Sequence, residues 1–370
     1  MTGMLYIKWT AIALLTWAIL AAAQIPVRRK MGWVVRGILF LVKFLLMAFC
    51  AYMIMAGGHN SLTWNHGYLL GGLYLGLLGD LVSDLVTLLY EIVKKRKGSV
   101  VIHIVASLFF TIAIMLYGST NMDVIKANRV NIVSEKIKTP HKFVFLSDVH
   151  VGSAQRHQTY EQIVLLIEEE KPDFLVLGGD ITDERTSKED MQWFYKQVGK
   201  INCPIFFIYG NHDRQPSADL VGGRTYSPQE LYNTITNNGI MILDDEWRLI
   251  SGDLIILGRD SFDSPDRLSP EQLSPRPSNA YVITFDHSPY EYADIEKTGS
   301  DLQVSGHSHA GQIFPLKMVY DIAGYDVQGF YRHGNTDVYV SSGVGGWYVP
   351  IRTEGHCAYE VITLLPADQK

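Results

Sequence analysis

Four long apolar stretches occupy the first third of the chain, at about 3–23, 33–56, 67–93 and 99–119. Each reaches the roughly 20 residues that an α-helix needs to cross a hydrocarbon core, so the pattern predicts four spanning helices. The first ends Ala21-Ala22-Ala23-Gln24 and so has the look of a cleavable signal peptide. Its leading part carries only Lys8, and more apolar spans follow, so it is read as a retained helix. From Phe143 the pattern changes. FVFLS (143–147), FLVLG (174–178), IFFIYG (205–210) and YVITF (281–285) are β-branched or aromatic runs of strand length. The stretches 158–170 and 187–199 between them have helical spacing. Continuous apolar runs alternating with helices predict strands buried on both faces of an α/β sheet. The expected organisation is a membrane region over 1–120, a linker over 121–140 and a second domain over 141–370.

Charge sharpens this division. The whole chain is 47% hydrophobic and 19% charged with a net charge of −6, but these figures average two unlike parts. Residues 1–120 hold ten Lys/Arg against three Asp/Glu, whereas 121–370 hold 22 against 35. An acidic second part gives no electrostatic footprint for nucleic acid, and that partner class is excluded. Arg28, Arg29 and Lys30 fill the first loop and Lys94, Lys95, Arg96 and Lys97 the third, while the second, 57–65, has no Lys or Arg. Basic loops stay on the cytoplasmic side, which puts residues 121–370 outside the cytoplasm of a cell-membrane protein. Lys43, Asp80 and Asp84 fall inside the spans. An ionised group there costs at least ~2.5 kcal/mol, so an interhelical ion pair of Lys43 with Asp80 or Asp84 is expected, with an ion or proton path as the alternative. Cys50, Cys203 and Cys357 have no metal-type spacing and are read as buried, unpaired thiols, with a disulfide between Cys203 and Cys357 as the alternative.

The chemistry lies at the ends of the strand-like runs. After FVFLS comes Asp148-Val149-His150; after FLVLG, Gly179-Asp180; after IFFIYG, Asn211-His212-Asp213; after YVITF, Asp286-His287. A fifth run, LQVSG (302–306), leads into His307-Ser308-His309. Each residue alone has an ordinary explanation as a turn former, a helix cap or a hydrogen-bonded histidine. Five such endings in one chain reverse that weighing, because α/β sheets bind ligands at the carboxyl ends of their strands. Two carboxylates, an amide and four imidazoles, without thiolate, suit Mn, Fe, Zn or Co. Seven ligands exceed one tetrahedral ion and suit two ions sharing a bridging carboxylate.

Asp148-x-His150, Gly179-Asp180, Gly210-Asn211-His212-Asp213, His287 and Gly306-His307-Ser308-His309 resemble, in order, the five blocks of the calcineurin-like metallophosphoesterases. The resemblance covers about residues 141–365. The extended block GHSHAGQIFP is similar to a branch of membrane-associated bacterial phosphodiesterases that includes enzymes hydrolysing lipid-linked diphosphates. That branch usually has Gly at the position of Ala310. The resemblance implies a two-sheet αββα sandwich. It places Asp148, His150 and His309 on one divalent ion and Asn211, His287 and His307 on the other, with Asp180 bridging. His212 is implied to face the substrate phosphate as the catalytic residue. Asp183, Asp213 and Asp286 are either partners that orient the imidazoles or plain turn residues.

The expected function is therefore membrane-anchored hydrolysis of phosphate esters, by a phosphodiesterase more than a monoesterase, on a lipid-linked or membrane-proximal substrate. Arg185 and Arg352 are candidate phosphate contacts. Rival readings are a non-catalytic membrane receptor that uses the metal fold, and a transporter with a regulatory phosphatase domain. Metal identity and oligomeric state stay open.

Overall fold

The computed structural model describes residues 11, 14–19, 32–56, 61–95, 100–214, 225–273 and 279–367. They divide into two compact units. One groups the N-terminal part up to Asn121 with two short later segments, Ile313–Met318 and Tyr348–Glu354; the other holds the rest.

In the first unit, α1 (Trp33–Ala56), α2 (Ser61–Lys94) and α3 (Val100–Asn121) are long and apolar enough to cross a membrane. Most of the first expected span, 3–23, lies outside the described residues, so three candidate helices are seen where four were expected. Leu45, Phe49, Ile102 and Phe109 project outward, a cost in water that hydrocarbon removes. Polar groups turn inward instead. Lys43 Nζ lies 2.7 Å from Asp80 Oδ2 and also pairs with Asp84, so the ammonium joins both carboxylates. His103 Nε2, from α3, lies 3.1 Å from Asp80 Oδ1, and Ser107 donates to the same oxygen at 3.2 Å. Removing one member of a buried pair leaves an uncompensated charge, typically a loss of ~3–5 kcal/mol. Lys43→Met should therefore lower the yield of folded protein in micelles, and adding Asp80→Asn with Asp84→Asn should restore it. A well-folded, native-melting Lys43→Met protein would show that the pair is dispensable.

In the second unit two six-stranded mixed sheets face one another. The first has the order β1 (Ile125–Ser134), β12 (Cys357–Pro366), β2 (His141–Leu146), β3 (Phe174–Leu177), β4 (Ile205–Phe207), β5 (Met241–Ile242). The second runs β10 (Gly329–His333), β11 (Thr336–Val340), β9 (Leu302–Ser305), β8 (Tyr281–Phe285), β7 (Leu254–Gly258), β6 (Glu246–Ser251). Strands β2 to β5 are mutually parallel, as are β7, β8, β9 and β11.

The continuous apolar runs are explained by alternation. Phe143, Phe145, Phe174 and Val176 point between the sheets, onto Ile256, Ile283, Phe285 and Val304. Val144, Leu146, Leu175 and Leu177 point the other way, onto Tyr160 and Ile163 of α4 (His157–Glu170) and Met191 and Phe194 of α5 (Lys188–Val198). Successive side chains leave a strand on opposite faces, so a strand covered on both sides reads as unbroken apolar sequence.

One expectation is corrected. The stretch 121–140, expected to be a linker, contains β1, a ten-residue edge strand paired in parallel with β12. Its sequence IKANRVNIVS is half polar because much of it stays partly exposed at the sheet edge, and that hid it from a search for apolar runs.

Glu360, on β12, is buried between the sheets and accepts from Ser341 Oγ at 2.7 Å and Tyr339 OH at 2.8 Å. Burial outweighs these donors and pushes its carboxyl from about 4.5 up to about 7. A raised folded value means stability that is full below the unfolded value and is lost as pH rises through the folded one. Between pH 5 and 8 the folding stability should fall by an amount on the order of 3 kcal/mol, and the melting temperature with it. Glu360→Gln should flatten that slope; an unchanged slope would place the titration elsewhere.

Candidate metal centre

The strand ends converge. β2, β3, β4, β8 and β9 all finish on one edge of the two sheets, and the motif residues follow each of them directly. Asp148, His150, Asp180, His307 and His309 all have positive φ, from 47° to 71°. Non-glycine residues seldom adopt this left-handed region, and such strain clusters at functional sites. Tight backbone approach makes the turns possible. A Cβ on Gly306 would stand 2.4 Å from Asp148 Oδ2, and one on Gly210 2.2 Å from Asp180 Oδ1. Glycine at both positions lets the carboxylates sit against the main chain.

Two groups of ligand-type atoms result, each lying within 4.8 Å of one another: Asp148 with His150 and His309, and Asp180 with His287 and His307. In the first, His150 Nε2 and His309 Nε2 face each other at 3.1 Å, and His309 Nε2 lies 3.4 Å from Asp148 Oδ1. Two neutral imidazoles can share only one proton across such a contact, whereas a cation satisfies both lone pairs and the carboxylate. In the second, His287 Nε2 lies 3.0 Å from Asp180 Oδ2, and Asn211 Oδ1 lies 3.0 Å from His307 Nδ1. Asp180 Oδ2 is also 4.0 Å from His150 Nε2, so this carboxylate faces both groups. The donor set of oxygen and imidazole nitrogen, converging and buried except for the half-buried His307, fits divalent metal ions.

The rings are oriented from behind. His287 Nδ1 meets the Gly178 carbonyl at 2.9 Å, which leaves Nε2 toward Asp180. His150 Nδ1 lies 3.3 Å from Asp183 Oδ2. Such outer partners set the tautomer and direction of metal-binding histidines. Asp213 accepts from the Thr182 and Gly210 amides, at 2.9 and 3.0 Å, and so ties the end of β3 to the end of β4. Asp286 is held by Arg267 at 2.6 Å. Of the three aspartates, then, Asp183 backs an imidazole, while Asp213 and Asp286 fasten loops.

Electrostatics separate the carboxylates. Burial pushes Asp148 upward, whereas for Asp180 burial is overcome by His287 and His212, which hold it well below the usual range. Burial would lower the His287 imidazole, but Asp180 more than reverses this and brings it to about 10. His212 behaves likewise: against burial, Asp180 and Glu184 raise it to about 9.

His212 is the second residue of the helical turn Asn211–Arg214, and its amide donates to Asp180 Oδ1 at 2.8 Å. Its Nδ1 meets both oxygens of the Glu184 carboxylate, at 2.9 and 3.0 Å, and its ring packs at 5.0 Å from Trp347. Sequence reasoning missed Glu184 and Trp347. Glu184, four residues after Asp180, was within reach of a motif reading; Trp347 carried no signal. Arg185 is half-buried, with its amide donating to Asp183 at 2.8 Å. Arg352 is buried and groups with the helical unit, where its amide donates to the Gly118 carbonyl at 2.9 Å.

Residues 141–311 match the family model described as calcineurin-like phosphoesterase. Residues 141–311 form a calcineurin-like metallophosphoesterase domain. Among relatives, an uncharacterized metallophosphoesterase of Helicobacter pylori (strain J99) is 29% identical over 66% of this chain and 65% of its own length. The YkuE metallophosphoesterase of Bacillus subtilis is 27% identical over 60% of this chain and 78% of its own. A transmembrane protein with metallophosphoesterase domain from Danio rerio is 27% identical over 67% of this chain and 59% of its own. This chain thus spans just under two thirds of the Helicobacter relative. The calcineurin-like domain accounts for the two-sheet architecture and for the His and Asp groups that could bind metal.

Proposed function

We propose that the chain is a membrane-anchored phosphodiesterase that hydrolyses lipid-linked or membrane-proximal phosphate esters. The observation that carries the reading is Asp180, whose carboxylate faces two adjacent groups of largely buried oxygen and nitrogen ligands. Two divalent ions held by Asp148, His150, Asp180, Asn211, His287, His307 and His309 would supply Lewis-acid charge for a phosphate and lower the pKa of water. The remaining work falls to the protein's own groups. His212 is the catalytic residue of this reading. Its Nδ1–H donates to Glu184, which fixes the ring and leaves Nε2–H to donate to a phosphate or leaving-group oxygen. Charge on the non-bridging oxygens is met by that donor, fixed in place before the substrate arrives. Arg185 is a further candidate for the phosphate.

Three helices long and apolar enough to cross a membrane support the lipid part of the proposal, because they would hold the enzyme at a lipid surface. The loop charges support an extracytoplasmic catalytic domain. The test uses full-length protein in lipid micelles with Mn²⁺. Hydrolysis of a phospholipid panel is compared with that of a soluble chromogenic phosphodiester, with Asn211→Ala as control. Faster turnover of a lipid, lost in the variant, is expected. Turnover of the soluble ester alone would reduce the helices to an anchor, and silence on both, with metal bound, would remove the enzyme reading.

A further inference from the structure

Beside the candidate centre lies an aromatic pair that the chemistry above does not use. The Tyr290 ring stands edge-on to the His307 imidazole, with centroids 5.8 Å apart at 74°. Phe262 packs on Tyr290 at 5.2 Å, and 43% of its surface is exposed. An exposed phenyl ring gains little by burial in its own fold. Yet its loop, which follows β7, is firmly anchored on both sides of the ring. Before it, Asp260 accepts from Arg214 Nε at 2.9 Å, and Arg214 ends the turn that begins with Asn211 and His212. After it, Arg267 Nη2 reaches Asp286 Oδ2 at 2.6 Å and Glu291 Oε2 at 2.7 Å, and Asp286 precedes His287. The Arg267 guanidinium also lies 5.8 Å from the Phe262 ring. Two ion pairs therefore hold Phe262 relative to the very segments that carry the candidate ligands.

We propose that Phe262 and Tyr290 form a subsite, on the His307 side of the centre, for an alkyl group esterified to the substrate phosphate. The inference rests on the phosphoesterase reading and adds which part of the substrate is read, and by which residues. Its occupant follows from continuity: a group attached to a phosphate at the two ligand groups and leaving past His307 meets Tyr290 first and Phe262 next. Both walls are aromatic ring faces, so an alkyl chain buries surface there, while a polar headgroup would lose hydration with only the Tyr290 hydroxyl as a partner. Because the rings are anchored beforehand, little ordering cost offsets that gain.

The test separates this inference from the reading beneath it. Manganese-loaded full-length protein in lipid nanodiscs is titrated by calorimetry with methylphosphonate and with octylphosphonate, and blank nanodiscs are subtracted. Hydrolysis of a soluble phosphodiester is followed in the same samples. Octylphosphonate should bind at least about tenfold more tightly than methylphosphonate. That ratio should fall toward one in Phe262→Ala and return in part in Phe262→Leu. Equal binding of the two phosphonates beside intact hydrolysis overturns the subsite and leaves the phosphoesterase reading standing. A chain-length preference without hydrolysis supports the subsite and sinks the enzyme reading. A preference that survives Phe262→Ala, or no binding of either probe, overturns the assignment.

Discussion

Asp180→Asn should reduce metal binding in both ligand groups at once and take most turnover with it. The carboxylate Oδ2 lies 3.0 Å from His287 Nε2 and 4.0 Å from His150 Nε2, so one substitution reaches both groups. An amide presents one oxygen and no charge where the carboxylate presents two oxygens and a negative charge. Its Oδ1 also accepts the His212 amide at 2.8 Å, so the turn that carries Asn211 and His212 loses a charge-assisted contact. Losing a mere outer-shell partner typically costs ~10–100-fold in metal affinity or activity, and a shared ligand should cost more. Metal content by elemental analysis, alongside turnover, measures both. A variant that keeps one full equivalent of metal would show that Asp180 serves one group only.

His212→Ala should do the opposite: keep its metal and lose turnover by ~10²–10³, the usual cost of removing one preorganised donor. The structure gives the reason for this split. The ring is tied through Nδ1 to Glu184 and packed on Trp347, and it lies in neither of the two ligand groups. Against burial, Asp180 and Glu184 raise its pKa, which favours the donating form. Glu184→Gln should lower the imidazole pKa and bring the loss of the donating form toward neutrality, with a smaller drop in turnover than His212→Ala. Loss of metal in His212→Ala would make the residue a ligand and undo the assigned role. An unshifted pH profile in Glu184→Gln would remove Glu184 from the account.

Much of the fold was legible because burial on both faces writes itself into sequence. The runs at 143–147, 174–178 and 281–285 are almost wholly apolar, and β2, β3 and β8 lie within a residue or two of those bounds. β1 was not legible, since an edge strand needs apolar residues only where it meets a neighbour. Lys43 with Asp80 and Asp84 could be paired from helical depth alone. His103 could not, because its place depends on how α3 packs on α2.

For the candidate site, the chain by itself determined which metal-type side chains stand at the strand ends. Metal-type side chains directly after five strand-like runs gather at one edge if those strands run parallel, which the helical stretches between several of them favour. Only the tertiary structure decided how they divide and what backs them. Asp180 faces both groups, Glu184 instead of Asp183 holds His212, and Phe262 is brought to His307 by Arg214 and Arg267. These relations join residues from separate strands and loops. They depend on ångström distances and ring orientations, which strand packing sets and no spacing along a chain records.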